Sequence, residues 1–240
     1  MANDRKHKKT PSSWQIERLD PNKVPWYGRK LLLEHNKRYE FAKRFVKGEV
    51  VELGCGSGYG AYLLAKNNVR HIYAIDIDAK AIEYAKKNYP QKKVAYLVGD
   101  AINTKLPSFC ADVVICFETI EHLKNIEDFL SEVNRLLKSR GILILSTPNK
   151  VVSFGDNPYH LREYTLLELH EALAKFFQIQ FYGQRRVGKK LLQVFKKFVE
   201  FFPFLGLFLR FRPWEDYAIH KLQNLQDDSY LYFLAVCQKK

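Results

Sequence analysis

Val50-Val51-Glu52-Leu53-Gly54-Cys55-Gly56-Ser57-Gly58-Tyr59-Gly60 decides the fold of this chain. An apolar run ends in an acid, four alternate glycines follow, and a helical pattern opens at Ala61, Leu63, Leu64 and Ala65. That is a strand, a tight turn and the start of a helix. Glycine lets the backbone take positive φ and lets a ligand come close. A dinucleotide would seat its pyrophosphate on such a turn, at the helix N-terminus. Two features oppose that here. The spacing is G-x-G-x-G rather than G-x-G-x-x-G. Glu52, two residues ahead of Gly54, repels pyrophosphate and attracts an ammonium group.

Working outward, Asp76 closes the next strand, His71 to Ile77, where it can take both hydroxyls of a ribose. A ribose, a cationic amino acid and no phosphate describe S-adenosylmethionine. A turn that merely packs helix on strand is the plain alternative, and Asp76 in register weakens it. Strands then alternate with helices. Val50–Leu53, His71–Ile77, Val94–Val98, Val113–Phe117 and Gly141–Ser146 read as strands. Tyr59–Lys66, Ala79–Asn88 (capped by Asp78) and Asn125–Lys138 (closed by Gly141) read as helices. This alternation predicts an α/β fold with a doubly wound parallel sheet. Ligands in such sheets bind beyond the carboxyl ends of the strands. Glu52, Asp76, Asp100 and Glu118 all fall at those ends. Upstream, residues 28–47 carry Leu31, Leu32, His35, Tyr39, Ala42, Phe45 and Val46 at helical spacing, which places Arg38 and Tyr39 on the approach to the glycine turn. Downstream, Thr165–Lys175 reads as a helix, Phe177–Tyr182 as strand six and Tyr230–Val236 as strand seven.

Residues 50–60 resemble the first motif of class I S-adenosylmethionine-dependent methyltransferases. The similarity runs from about Glu34 to about Phe177, and within the superfamily it is similar to bacterial methyltransferases that tailor glycans and small molecules. The matching pieces are Glu34-His35…Arg38-Tyr39-Glu40-Phe41-Ala42, Phe117-Glu118-Thr119-Ile120-Glu121-His122-Leu123, Ser146-Thr147-Pro148-Asn149 and Asn157-Pro158-Tyr159-His160-Leu161-Arg162-Glu163-Tyr164-Thr165. The resemblance implies a seven-stranded, mostly parallel sheet whose last strand is antiparallel; the connection between strands six and seven is longer than usual and reads as a helical insertion. It implies a cofactor site built from Tyr39, Glu52, Gly54, Gly56, Gly58, Asp76, Ile77, Asp100, Ala101 and Glu118. Tyr39 would cover the methionine part, or simply pack in the core. Asp100 would accept from the adenine amino group and Ala101 would donate from its backbone.

Glu118, Glu121 and His122 form an E-x-x-E-H cluster after strand four, and His160 follows a loop later. Two carboxylates and an imidazole suit a divalent ion. The cluster resembles the metal site of small-RNA 2′-O-methyltransferases and of ubiquinone-pathway O-methyltransferases. The favoured reading needs no metal: Glu118 touches the cofactor, and the acids complement a helix N-terminus. His160 is then the base that removes a hydroxyl proton, supported by His122 and Glu121. Arg162 and Asn157 are the candidates for holding the substrate, Arg162 through a carboxylate or phosphate. The alternative for Arg162 is a surface ion pair with Glu163.

The chain has 240 residues, 47% of them apolar, with a net charge of +13 and four cysteines in no C-x-x-C spacing. That composition suits one domain with a reduced, cytoplasmic setting and an attraction to anionic partners. No secretory leader is read at residues 1–10, and no run of about 18 apolar residues predicts a spanning helix. Residues 1–23 read as a mobile basic arm, pinned by Trp14, Trp26 and Tyr27, ahead of a methyltransferase domain over residues 24–240. Residues 184–229 read as an insertion over the substrate. Within it, 185–212 sets Lys189, Lys190, Lys196 and Lys197 opposite Leu191, Val194, Phe195 and Phe198, a pattern suited to an anionic membrane surface or to a packed cap. Three functions follow. The first is methylation of a hydroxyl on a glycan, lipid-linked or other small molecule. The second is metal-assisted 2′-O-methylation of RNA, with no RNA-binding module to support it. The third is a silent cofactor-binding protein.

Overall fold

The computed structural model describes residues 19–24, 28–153, 157–186 and 217–240. Eight strands lie among them: β1 Gly48–Leu53, β2 Val69–Asp76, β3 Val94–Val98, β4 Ala111–Phe117, β5 Leu137–Pro148, β6 Phe177–Arg186, β7 Ile219–Lys221 and β8 Tyr230–Lys239. They form one sheet in the order β3-β2-β1-β4-β5-β8-β6-β7. The first five are parallel, β8 runs antiparallel to both β5 and β6, and β7 adds an antiparallel edge to β6. Chain order reverses between β1 and β4, which opens a crevice beyond their carboxyl ends.

The helices are α1 Arg29–Ala42, α2 Tyr59–Leu64, α3 Ala79–Asn88, α4 Ile126–Leu136 and α5 Leu166–Ala174. Strand residues alternate between the two faces of the sheet, so neighbours in β1 serve different cores. Val50 joins Tyr39, Phe41, Tyr59, Leu64, Ile82 and Ala85 from α1, α2 and α3. Val51 and Leu53 join Phe129, Leu130, Val133, Leu166, Leu169 and Leu173 from α4 and α5. Each fully buried Leu or Phe contributes about 1.5–3 kcal/mol. The helix starts are fixed locally. Asp78 accepts from the Lys80 amide at 2.8 Å, and Asn125 accepts from the Glu127 amide at 2.9 Å. Thr165 and Glu168 cap each other's backbone reciprocally.

Three expectations change. Among the described residues the sheet has eight strands rather than seven, because the chain between strands six and seven contributes β7. That connection is therefore not wholly helical in its described parts, and 187–216, with the amphipathic stretch, lies outside the described residues. Strand five begins at Leu137 rather than Gly141, directly after α4. The arm is not loose as far as residue 23: Leu19 and Asp20 are buried. Asp20 accepts from the hydroxyls of Tyr84 and Tyr89, the latter at 2.6 Å, while Ser57 of the glycine turn donates to the Leu19 carbonyl at 2.7 Å. Trp14, Trp26 and Tyr27 lie outside the described residues.

Candidate cofactor and acceptor site

The glycine turn is hitched to β2. The Gly56 amide donates to Asp76 Oδ2 at 2.8 Å, and the Asp78 amide donates to Oδ1 at 2.9 Å. Asp76 is thus held at the crevice, and each oxygen keeps a lone pair for a further donor. Gly54, Gly56 and Gly58 have φ of 73°, 53° and 81°. At Gly56 a Cβ would meet nothing within 4 Å, so its positive φ and the open space beside it suit a ligand pressed against the backbone. At Gly60 a Cβ would lie 2.1 Å from the Tyr39 ring and hydroxyl. The last glycine therefore makes room for Tyr39 rather than for a ligand.

Tyr39 packs in the core and reaches the first strand. Its ring packs edge-on against Tyr59 and Phe117, with centroids 5.5 and 5.2 Å away, and its hydroxyl donates to Glu52 Oε1 at 2.7 Å. Glu52 is buried, and Oε2 has no hydrogen-bond partner. Burial pushes its pKa up to about 7; the Tyr39 hydrogen bond pulls the other way, and the charge of Asp76 adds to the rise. An orphaned acceptor in a dry pocket fits the ammonium of an amino acid.

Beside Asp76, Ile77 leaves 71% of its surface exposed, an apolar face at the crevice. Asp100 bridges to Asn103 and accepts from the Ile102 amide at 3.1 Å, which fixes its turn. Ala101 is half-buried next to it.

The expected four-residue cluster after β4 splits. Glu118 takes φ of 50°, and its Oε1 lies 3.0 Å from Arg38 Nη1 and accepts from the Ser146 hydroxyl at 2.7 Å. The backbone reverses there before a short 3₁₀ turn, Ile120–His122, so 118 does not share a helical face with 121 and 122. What assembles instead is Glu121, His122 and His160, with one ligand-capable atom from each within 4.8 Å of the others. The two imidazoles lie edge to face at 5.1 Å. His122 Nδ1 is 2.9 Å from the Tyr159 carbonyl, and His160 Nδ1 is 2.7 Å from Glu163 Oε1. Each partner fixes its ring through Nδ1 and leaves Nε2 for chemistry. Glu121 is fully buried. Thr147 donates to its Oε2 at 3.1 Å, and Oε1 has no partner. Burial, then the charge of Glu118, holds the Glu121 carboxyl well above the usual carboxylate range. The Glu121 carbonyl accepts from the Leu161 and Arg162 amides at 2.8 and 3.1 Å, tying the His160 loop to the 3₁₀ turn after β4. This donor set, two imidazoles and one carboxylate, fits a divalent ion.

Asn157 builds the loop: its side chain accepts from the Tyr159 amide at 3.0 Å and its carbonyl from the His160 amide at 3.1 Å. Arg162 is exposed. It faces Glu168 at 3.9 Å and sits 5.1 Å from the Tyr164 ring centroid, so its ion pair is not with Glu163. Glu163 is occupied by His160 and by the Ser153 hydroxyl.

Sequence reasoning missed Glu163 as the partner of His160, although a carboxylate three residues after a histidine was a readable signal. It also missed how deeply Arg38 lies. Arg38 is wholly buried and donates from Nε to Gln184 Oε1 at 2.8 Å. Burial alone would lower its pKa; Glu118, then Tyr232 and Glu34, more than offset this and keep it charged.

Residues 51–145 match the family described as "Methyltransferase domain". A probable S-adenosylmethionine-dependent methyltransferase of Mycolicibacterium smegmatis is 36% identical over 137 residues, 55% of this chain and 52% of that protein. The ubiquinone biosynthesis O-methyltransferase of Rickettsia akari is 30% identical over 144 residues, 56% of this chain and 51% of that protein. The chain thus spans about half the length of the curated relatives it matches. A solved Thermotoga maritima structure, described as a SAM-dependent methyltransferase and possible histamine N-methyltransferase, superposes with a TM-score of 0.65. That likeness, at 19% identity, covers 95% of this chain and 100% of the other, and supports the fold. The acid closing β2 and the sheet order agree with these matches: the chain is similar to class I S-adenosylmethionine-dependent methyltransferases, and that likeness supports S-adenosylmethionine as the cofactor.

Proposed function

We propose that the chain methylates a hydroxyl group of a small molecule, a glycan or a lipid-linked acceptor, with His160 as the base. The observation that carries this reading is the pairing of His160 Nδ1 with Glu163, which leaves Nε2 free to accept a proton. The cofactor supplies a methyl group already activated on a sulfonium. The chain's own task is therefore chiefly to position the acceptor and exclude water. Glu52 takes the ammonium, Asp76 the ribose hydroxyls, Ile77 the adenine face, and Asp100 with Ala101 the adenine edge. Glu121 and His122 support His160, and Arg162 and Asn157 stand at the acceptor side. The resemblance to a Rickettsia O-methyltransferase supports oxygen as the acceptor atom.

A second reading is favoured by the Glu121–His122–His160 cluster. These residues would hold a divalent ion, whose chemistry is to bind acceptor oxygens and lower a hydroxyl pKa. Its acceptor could extend to the 2′-hydroxyl of RNA, which the net charge of +13 would attract. Labelled methyl transfer into small-molecule, lipid, glycan and RNA fractions, each with and without EDTA, tests both. Transfer to a small molecule, lipid or glycan that survives chelation supports the base. Transfer abolished by EDTA and restored by Mg²⁺, Mn²⁺ or Zn²⁺ supports the metal. Saturable S-adenosylhomocysteine binding with no transfer in any fraction would leave a silent binding protein. Anionic vesicles in a sedimentation assay test the proposed membrane contact of 185–212.

A further inference from the structure

A cavity of about 370 Å³ opens against residues 19–24, with walls from three helices. Those walls follow from helical spacing. Asn36 and Glu40, four residues apart, share one face of α1, and Tyr59 and Tyr62, three apart, share one face of α2. Asn22 and Tyr89, the latter at the end of α3, close it. None of Glu52, Asp76, Glu118 and His160 lines it, so it is separate from the crevice described above. Its volume falls at the lower end of the range for small-molecule sites.

The lining is aromatic and acidic. Tyr62 and Tyr89 lie with ring centroids 5.7 Å apart. The Tyr89 hydroxyl donates to Asp20 at 2.6 Å and accepts from Asn22 at 3.0 Å, so its ring is what remains for a ligand. Tyrosine faces in this neighbourhood already hold cations. Lys66 Nζ stands 4.4 Å from the Tyr62 centroid, and Lys23 Nζ stands 3.7 Å from that of Tyr84, the other tyrosine on Asp20. In a chain of net charge +13, Glu40 is the one charged residue among those lining the cavity. Its pairing with Lys43 is an exposed contact, of the kind that holds weakly. Two buried oxygens in the same wall have no hydrogen-bond partner: Asn36 Oδ1 and Tyr59 OH, Tyr59 being 5% exposed. Buried polar atoms are nearly always paired, so these oxygens call for a donor. Asn36 is half-buried and needs only to rotate its amide to offer its oxygen to the cavity.

We propose that this cavity is a second ligand site, and that it takes a small organic cation: an N–H-bearing ammonium on an apolar body. The rings of Tyr62 and Tyr89 receive the cation and its carbon body. Glu40 supplies the opposite charge at the mouth, and Asn36 and Tyr59 accept from the ammonium. The site excludes anions, because no base among the lining residues would hold one.

Calorimetry on the full chain tests it with three probes of similar size: 2-phenylethylammonium, the neutral 2-phenylethanol and the anion phenylacetate. S-Adenosylhomocysteine is present at saturation throughout, so that an ammonium seated on Glu52 does not contribute. The wild type binds the cation saturably and about tenfold more tightly than the alcohol, the scale of a partly desolvated cation on aromatic faces, and phenylacetate more weakly still. Glu40→Gln weakens the cation about threefold and leaves the alcohol unchanged. Tyr62→Leu weakens the cation about fivefold. Should Tyr62→Leu fail to fold, Glu40→Gln, on an exposed part of α1, carries the test. No saturable binding of the cation overturns the proposal, as does equal binding of cation and alcohol. Cation binding that no folded variant weakens overturns it too, because the ammonium then sits elsewhere.

Discussion

The Tyr39 hydroxyl donates to Glu52 Oε1 at 2.7 Å, and it does so across the space that Gly60 leaves by having no side chain. Helix α1, the first strand and the last glycine of the turn are thereby one device. It holds a carboxyl whose pKa burial has pushed up to about 7.

That value sets a pH dependence. Glu52 binds its proton more tightly in the folded chain than in the unfolded one, where its value is 4.5. The stabilisation is fully present below pH 4.5 and is lost as pH rises to about 7, by roughly 3 kcal/mol in all. The stability difference between the wild type and Glu52→Gln, followed by denaturant melts, should shift against the wild type across this window and level off above it. A difference independent of pH would remove Glu52 from the titration.

Cofactor binding should run through the same proton. An ammonium against Oε2 favours the ionised carboxylate, so S-adenosylhomocysteine should expel a proton when it binds near pH 6.5, between the unfolded and folded values. Calorimetry in two buffers of different ionisation enthalpy measures this directly. A buffer-independent heat at that pH would count against the contact.

The glycines separate two roles. Gly60→Ala drives a methyl group into the Tyr39 ring, with a Cβ 2.1 Å from its nearest atoms. It should destabilise the fold by about 1–3 kcal/mol and lose cofactor affinity as Tyr39 is pushed off Glu52. Gly56→Ala meets no atom within 4 Å, and its strain at φ 53° is about 1 kcal/mol. Its loss of affinity should exceed its loss of stability, because the methyl group occupies ligand space. Paired melts and binding isotherms decide it.

These residues also show what the sequence could and could not give. Glu52, Asp76, Asp100 and Glu118 were legible because hydrophobic period and strand length alone put them at strand ends. The Asp78 cap on α3 was legible because capping is local. Arg38 was not, since its burial is created by Gln184, 146 positions away, and by Tyr232 on the same pair of outer strands. The Glu118 side chain was misplaced because helical spacing was assumed across a residue that takes φ of 50°. The buried end of the arm was missed because Asp20 reads as a polar linker residue until α3 brings Tyr84 and Tyr89 against it.

Asp20 gives a test away from the chemistry. Its carboxylate accepts from two tyrosines and from the Asn22 amide at 3.0 Å. Asp20→Ala leaves the buried Tyr89 hydroxyl short of its acceptor, a loss of about 1–3 kcal/mol. Tyr84→Phe, which removes a single donor, should lose about 1 kcal/mol. Thermal melts rank the variants. The Leu19 carbonyl holds Ser57 on the glycine turn, so Asp20→Ala should also weaken S-adenosylhomocysteine binding while Tyr84→Phe hardly changes it. Equal binding by both variants would mean that this segment braces the fold without reaching the cofactor.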